Sequence, residues 1–317
     1  MNSSVVIAKK KKASEKKKGS FISNLKYDFK YNKAILLMTI PGLLWLLIFR
    51  YVPMYGVLIA FKKYSLFKGF FKSEWVGFRY FIQFFEDPYF FRLLKNTFLL
   101  GLYNMLWSFP APIILALLLN EIKNKRFRKF TQTVTYLPYF ISTVVIVGIM
   151  KSMFASDGVI NHILHSSVPF FNNPDLFRTL YISSDIWSTI GYGSIIYLAA
   201  ITGIDPELYE AAKIDGASRF QNILYITIPS IIPTITVLLI LRIGAVLSVG
   251  FEKVFLMYSP ATYQTADIIS TYVYRKGIQD QNFSFATAVG LFNSVISLIL
   301  LTVSNYFSKK TMNESLW

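Results

Sequence analysis

The sequence predicts an all-α membrane protein with six transmembrane helices and a short cytoplasmic helix between the fourth and fifth. Three observations carry this. The 317 residues are 54% hydrophobic and only 16% charged, against about a quarter charged in soluble domains. Runs such as AILLMTIPGLLWLLIF are suited to lipid. The chain also holds 29 Phe and 20 Tyr, and aromatic rings concentrate at membrane interfaces.

Six apolar stretches approximate the roughly twenty residues that cross hydrocarbon. They are 34–60, broken by Pro41 and Pro53, then 93–120, 130–152, 184–203, 224–249 and 283–307. The first, second and fifth run long and are expected to tilt or kink at their prolines. No internal repeat is visible. The expected organisation is a lysine-rich tail (1–33), one membrane domain (34–310) and a short C-terminal tail (311–317).

Residues 1–33 hold ten Lys against Glu15 and Asp28, a net charge of +8 out of +16 for the chain. The run KKKKASEKKK has no interleaved aromatics, which argues against nucleic acid as a partner and for anionic membrane lipid. The stretch KNKRFRK (123–129) carries five basic residues and no acid, so it and the N-terminal tail are predicted to be cytoplasmic. Six spans return the C-terminus to the same side. The loop at 61–92 disagrees, carrying Lys62, Lys63, Lys68, Lys72, Arg79 and Arg92. Its length lets it translocate regardless of charge. Its aromatic stretch FFKSEWVGFRYFIQFFEDPYFF reads as a short amphipathic helix at the outer interface, either packing on the bundle or touching substrate.

Cysteine is absent, which removes disulfides and thiolate metal sites. His162 and His165 read as loop histidines without a metal role. No phosphate-binding loop, GxSxG elbow or HExxH helix occurs, so an enzyme is not expected. Within the spans Arg50 and Arg242 stand out, since a membrane-embedded charge usually faces a cavity or a partner. Arg242 is expected to be matched by a partner chain rather than by Glu252, ten residues on. Carboxylates that could hold a coupling ion are almost missing from the spans, so energy for uphill transport should come from elsewhere.

Between spans four and five lies EAAKIDGASRFQNILYITIP (210–229). The preceding IDPELYEAAKIDGAS reads as a self-contained helix. Asp205 is the N-cap, Pro206 occupies the first turn, and Glu207 complements the dipole. Asp215 and Gly216 end it, Gly216 supplying a left-handed turn, and Ser218 caps the next helix. Leu208, Ala211 and Ala212 share one face. The residues alone permit two readings: a knob that plugs into another protein, or a capped connector.

The spacing of Glu210, Ala211, Ala212, Gly216, Ile226 and Pro229 resembles the cytoplasmic signature of permease subunits of binding-protein-dependent ABC importers. Ile228 stands where that family usually has Leu. WVGFRYFIQFFEDPYFFRLLKNT (75–97) and FEKVFLMYSPATYQTADIISTYVYRKGI (251–278) are similar to segments of the maltose-type sugar and polysaccharide branch. The resemblance covers roughly residues 34–310. It implies a second, unlike permease, two ATPase subunits that bind ATP and Mg (this chain holding no cofactor), an extracellular solute-binding protein, and a bacterial plasma membrane. Residues 206–214 would be the coupling helix, seated in a groove of the ATPase, with Glu210 pairing with a basic residue there. An oligosaccharide would be the substrate. Candidates for the substrate path are Trp187, Tyr192, Tyr197, Arg242, Glu252 and Asn293, each of which could equally pack within the bundle. A stand-alone carrier or channel, an importer of another solute, and a membrane scaffold are the alternatives.

Overall fold

The structure, a computed structural model, describes residues 33–312. The lysine-rich tail up to residue 32 and residues 313–317 lie outside that range. The chain divides into two compact units, one ending at Leu58 and the other starting at Ile59. In the first, α1 (Lys33–Leu46) runs on through a π-helical turn, Leu47–Tyr51, into a 3-10 stretch, Val52–Phe61, whose last three residues belong to the second unit. Large apolar side chains such as Leu37, Trp45 and Tyr55 are exposed along it, as expected of a helix whose solvent is lipid.

The second unit opens with a two-residue hairpin. β1 (Lys62–Lys63) pairs antiparallel with β2 (Glu74–Trp75), Lys62 opposite Trp75. Helix α2 (Arg79–Phe85) follows. Phe84 is fully buried, edge-on to Phe90 at 5.0 Å and to Phe292 at 5.5 Å. This part of the aromatic segment packs on the bundle.

Span two consists of α3 (Phe90–Tyr103), a π turn (Asn104–Ser108) and α4 (Pro110–Glu121). Span four is α7 (Pro174–Thr202), and the short α8 (Pro206–Ile214) follows it. Span five begins at α9 (Arg219–Asn222) and continues through the π turn Ile223–Thr227 into α10 (Ile228–Gly244). After α11 (Phe251–Met257) and α12 (Ile269–Tyr274), span six is α13 (Phe283–Met312).

The predicted third span is not one helix. It comprises α5 (Lys125–Tyr136), a 3-10 turn (Leu137–Phe140) and α6 (Thr143–Met153), and the two halves are bent by 99°. The sequence LPYFIS explains the break. Pro138 cannot donate to the preceding turn, and Ser142 starts a new helix by accepting from the Val145 amide at 3.4 Å. Span four begins at Pro174 rather than 184, because Asn173 caps it and Pro174 suits a first helical position. Span five ends at Gly244 rather than 249. Among the described residues four helices are long and apolar enough to cross a membrane unaided, and six spans result if each bent pair counts as one.

One proline in each of spans one, two and five follows a widened turn, whereas Pro41 and Pro233 lie within α-helix. Leu47–Tyr51, Asn104–Ser108 and Ile223–Thr227 are each π-helical and each ends two residues before a proline, Pro53, Pro110 and Pro229. A proline has no N–H for the carbonyl four residues back and collides with it. That carbonyl belongs to Phe49, Leu106 or Tyr225, the middle residue of the widened turn in each case. The wide turn takes up the mismatch within a continuous helix.

α7 is the centre of the bundle. Its buried face, including Phe177, Tyr181, Ser184, Gly191, Tyr197 and Ile201, meets α4, α5 and α10. At Gly191 the backbones touch. A Cβ there would lie 2.0 Å from the carbonyl oxygen of Thr135 on α5, so only glycine allows spans three and four to approach this closely.

At the end predicted to face outward, Asp267 is fully buried. Arg275 grips it with two hydrogen bonds, of 2.9 and 2.5 Å, and Thr271 adds a third at 2.8 Å. Arg92 approaches to 3.8 Å. Burial works against the Arg275 cation, but Asp267 outweighs it and holds the guanidinium above its ordinary pKa. The Asn96 amide donates to the backbone carbonyls of Gln264 and Asp267 at 3.0 and 3.1 Å, which ties the outer loop to span two.

Candidate functional site

The first candidate is α8, which turns 70° away from α7. Its ends are fixed locally. The Asp205 carboxylate accepts from the Glu207 amide at 3.0 Å, and Pro206 sits in the first turn. At the other end the Ala217 amide donates to the Ala212 carbonyl at 2.9 Å and the Gly216 amide to that of Lys213 at 3.2 Å. These paired bonds form a Schellman motif, whose left-handed position falls on Gly216, at φ +80°. Ser218 and Gln221 then form a reciprocal capping box, at 3.3 and 2.7 Å, that starts α9. A hydrogen bond of 2.9 Å between the Tyr209 and Thr227 hydroxyls ties the helix to span five.

No residue of α8 is buried. Leu208, Glu210, Ala211, Asp215, Ile214 and Phe220 are exposed, whereas Ala212 is half-buried beside the turn. Ile226 and Pro229 belong to the widened turn and the helix start that support this knob. Glu210 has no ion-pair partner among the described residues. A rigid, capped helix with an unpaired acid and exposed apolar side chains has the character of a docking element.

The second candidate is a cleft within the bundle. A cavity of about 180 Å³ is lined by Gly101, Asn104, Tyr181, Asp185 and Arg242 among others. It shares Asp185, Arg242 and Ala245 with an adjoining cleft of about 430 Å³ that reaches Ser108, Thr189 and Tyr197. Polar groups cross it in series. Arg242 donates to the Asn104 side-chain carbonyl. The Asn104 amide donates to Asp185 at 2.8 Å. Lys253, nearly buried, approaches the other Asp185 oxygen at 3.4 Å and lies 4.8 Å from the centre of the Tyr181 ring.

Within its own chain Arg242 meets a neutral amide, Asn104, and no carboxylate lies within ion-pair distance of it among the described residues. Of the two cations in this series only Lys253 is within ion-pair distance of Asp185, and Arg242 reaches it through the Asn104 amide. The Ser108 hydroxyl is buried without a hydrogen-bond partner among the described residues.

Of the residues proposed for a substrate path, Arg242 and Tyr197 line this cleft. Trp187 is exposed outside its lining, and Tyr192 stacks on Tyr139 at 3.9 Å. Glu252 is exposed in the first turn of α11. Asn293 has a buried side-chain oxygen without a hydrogen-bond partner but lines neither cavity. Sequence reasoning missed Asn104, Asp185 and Lys253. Asp185 was the legible one, a carboxylate within a predicted apolar span. Asn104 is carried into the cleft by the π turn, which hydropathy does not show.

An α-helical bundle with a charged internal cleft and a projecting capped helix defines a membrane transport subunit. The chain belongs to the family of binding-protein-dependent transport system inner membrane components, whose model matches residues 108–313. It is thus a multi-pass permease of the bacterial plasma membrane that works with a solute-binding protein and the other subunits of an ABC importer. ATP hydrolysis resides on a separate subunit.

Two proteins of Bacillus subtilis (strain 168) are similar to it. Protein LplB is 48% identical over 303 residues, 94% of each chain. The polygalacturonan/rhamnogalacturonan transport system permease protein YteP is 45% identical over 290 residues, 90% of each. A bacterial ABC transporter that imports the acidic polysaccharide alginate contains a chain with a TM-score of 0.85 and 44% identity, covering 91% of this chain and 99% of that one. The alginate transporter in complex with an alginate pentasaccharide-bound periplasmic protein matches with a TM-score of 0.85 and 42% identity, covering 93% and 99%.

Proposed function

We propose that this chain pairs with a second, unlike permease to form the path for an oligosaccharide, and that α8 is the element through which two ATPase subunits drive it. The observation that carries the reading is the geometry of α8. It is capped at both ends, braced by Tyr209 against Thr227, and has no buried residue. A helix held this firmly yet unburied transmits force to whatever it is seated on. In this reading Glu210 pairs with a basic residue of the ATPase, Ala211 and Ala212 allow close approach, and Asp215 and Gly216 set the angle of the knob. Ile226 and Pro229 pass its movement into span five. Closure of the ATPase dimer on ATP then pulls the knob and tips the bundle between inward- and outward-facing forms.

The oligosaccharide passes the Asn104–Asp185–Arg242–Lys253 cluster, whose amide, carboxylate and cations suit sugar hydroxyls. The polysaccharide transporters among its relatives support this substrate class. Trp187, Tyr192, Glu252 and Asn293 stand as more peripheral candidates along the path. Both termini are cytoplasmic, with a lysine-rich tail (1–33) leaning on anionic lipid, a membrane domain at 34–310 and a short tail at 311–317. Nucleic acid is not a partner.

Co-purification tests the reading. Detergent-solubilised wild type should retain an ATPase subunit and a second permease, and the eluate should hydrolyse ATP. Loss of that hydrolysis in a Glu210→Ala, Gly216→Pro double variant is the expected result. A wild-type chain that purifies alone, or as a homo-oligomer, would overturn it.

A further inference from the structure

A third cleft, of about 520 Å³, lies on the outer half of α7 against span two. Tyr103 and Trp107 contribute aromatic side chains, and Asp175, Arg178, Thr179 and Ser183 contribute polar ones. Trp107 is 64% exposed in the chain. Arg178 is the distinctive group. It has no carboxylate within ion-pair distance among the described residues. One guanidinium nitrogen donates to the Asn96 side-chain oxygen at 2.9 Å, and Nε is buried with no hydrogen-bond partner.

Asn96 has no freedom in this contact. Its amide nitrogen is committed to the carbonyls of Gln264 and Asp267, so its oxygen must face Arg178. Arg178 is thus a positioned cation without an ionic partner among the described residues, which also leave the Trp107 ring largely uncovered. Arg178 and Asp185 are seven residues apart on α7, two helical turns or roughly 10 Å, and so lie on the same side of the helix. The two clefts are consecutive stations along one helix.

We propose that the outer cleft is a second saccharide subsite and that it takes an acidic sugar ring. Arg178 binds the carboxylate, Trp107 stacks on the ring face, and Asp175, Thr179 and Ser183 take hydroxyls. Asp175 repels an anion, so the carboxylate must be turned to Arg178, which fixes the orientation of the ring. Planar, two-pronged recognition of a carboxylate is what a guanidinium does best. The inference rests on the oligosaccharide reading above and adds the charge of the cargo and a subsite nearer the delivering protein.

The test uses the intact importer with its binding protein, reconstituted in liposomes. The probes are oligogalacturonate and oligoalginate, with arabino-oligosaccharide as the neutral counterpart. The readouts are maximal uptake at saturating binding protein, substrate-free ATP hydrolysis and subunit composition. Wild type is expected to carry at least one acidic probe. Arg178→Gln should cut its maximal rate about tenfold or more, the scale of one charge-assisted hydrogen bond. Arg178→Lys should restore only part of it, since an ammonium keeps the charge but not the two-pronged geometry, and Trp107→Ala should lose more than Trp107→Phe. Basal ATP hydrolysis and composition should be unchanged in all four variants.

Unchanged uptake by Arg178→Gln overturns the proposal, as does an equal loss of the neutral and the acidic probe. Release of the second permease by Arg178→Gln would make the cleft a subunit interface instead. A wild type that carries only the neutral probe would refute the acidic subsite while leaving the importer reading intact. A wild type with no ATPase and no uptake of any probe would refute both.

Discussion

Gly216 offers the sharpest test of how α8 works, because conformation and space separate cleanly there. Its φ is +80°, yet a Cβ added to it would meet nothing within 4 Å. Replacement by Ala therefore costs no packing and carries only the penalty of a left-handed backbone, about 1–2 kcal/mol for a residue with a Cβ. At 1.4 kcal/mol per factor of ten, ATPase binding should weaken about 5- to 30-fold. Asn tolerates this conformation better and should lose less, and Val, β-branched, should lose more. The assay titrates purified ATPase subunit against the wild-type chain and the three variants in detergent and follows the thermal midpoint of the chain alone. The order wild type, Asn, Ala, Val in affinity, at a nearly constant midpoint, is the expected outcome. Equal affinities for Ala and wild type, or a fall in affinity that tracks a fall in midpoint, would refute the reasoning.

Other consequences follow from the same contacts. Asp205→Ala removes the α8 N-cap and should cost about 1 kcal/mol, seen as faster amide hydrogen exchange over 207–210. Gly191→Ala drives a Cβ into the Thr135 carbonyl and should cost about 1–3 kcal/mol, read as a lower thermal midpoint in detergent. Asp185→Ala leaves Lys253 buried without its carboxylate, a loss of about 3–5 kcal/mol. Adding Lys253→Met to it should recover much of the thermal midpoint but not transport.

How much could be read beforehand depended on whether a feature is local. The α8 ends were legible because caps are written in adjacent residues: Asp205 with Pro206, Gly216 after Asp215, Ser218 with Gln221. Span existence was legible from apolar length, but span geometry was not. The bend in span three needs Pro138 and Ser142 read together as a stop and a start, and in the outer turns of α7 Asp175 and Arg178 interrupt the apolar run that Phe177, Leu180 and Tyr181 would otherwise make. The cleft was least legible. Arg242 stood out as a charge in lipid, but its partner Asn104 is 138 residues away and reaches it only through the widening of span two ahead of Pro110. No sequence window contains that juxtaposition.

The central claim is that α8 seats in an ATPase subunit. The chain has no cysteine, so an Ala211→Cys variant carries a single reactive thiol, which can be loaded with a photoactivatable maleimide in the assembled importer. Illumination should join this chain to the ATPase subunit, and a thiol placed at Phe91, exposed at the outer end of span two, should not. Labelling at residue 211 that joins only lipid or the chain itself, with the importer assembled and hydrolysing ATP, would contradict the account.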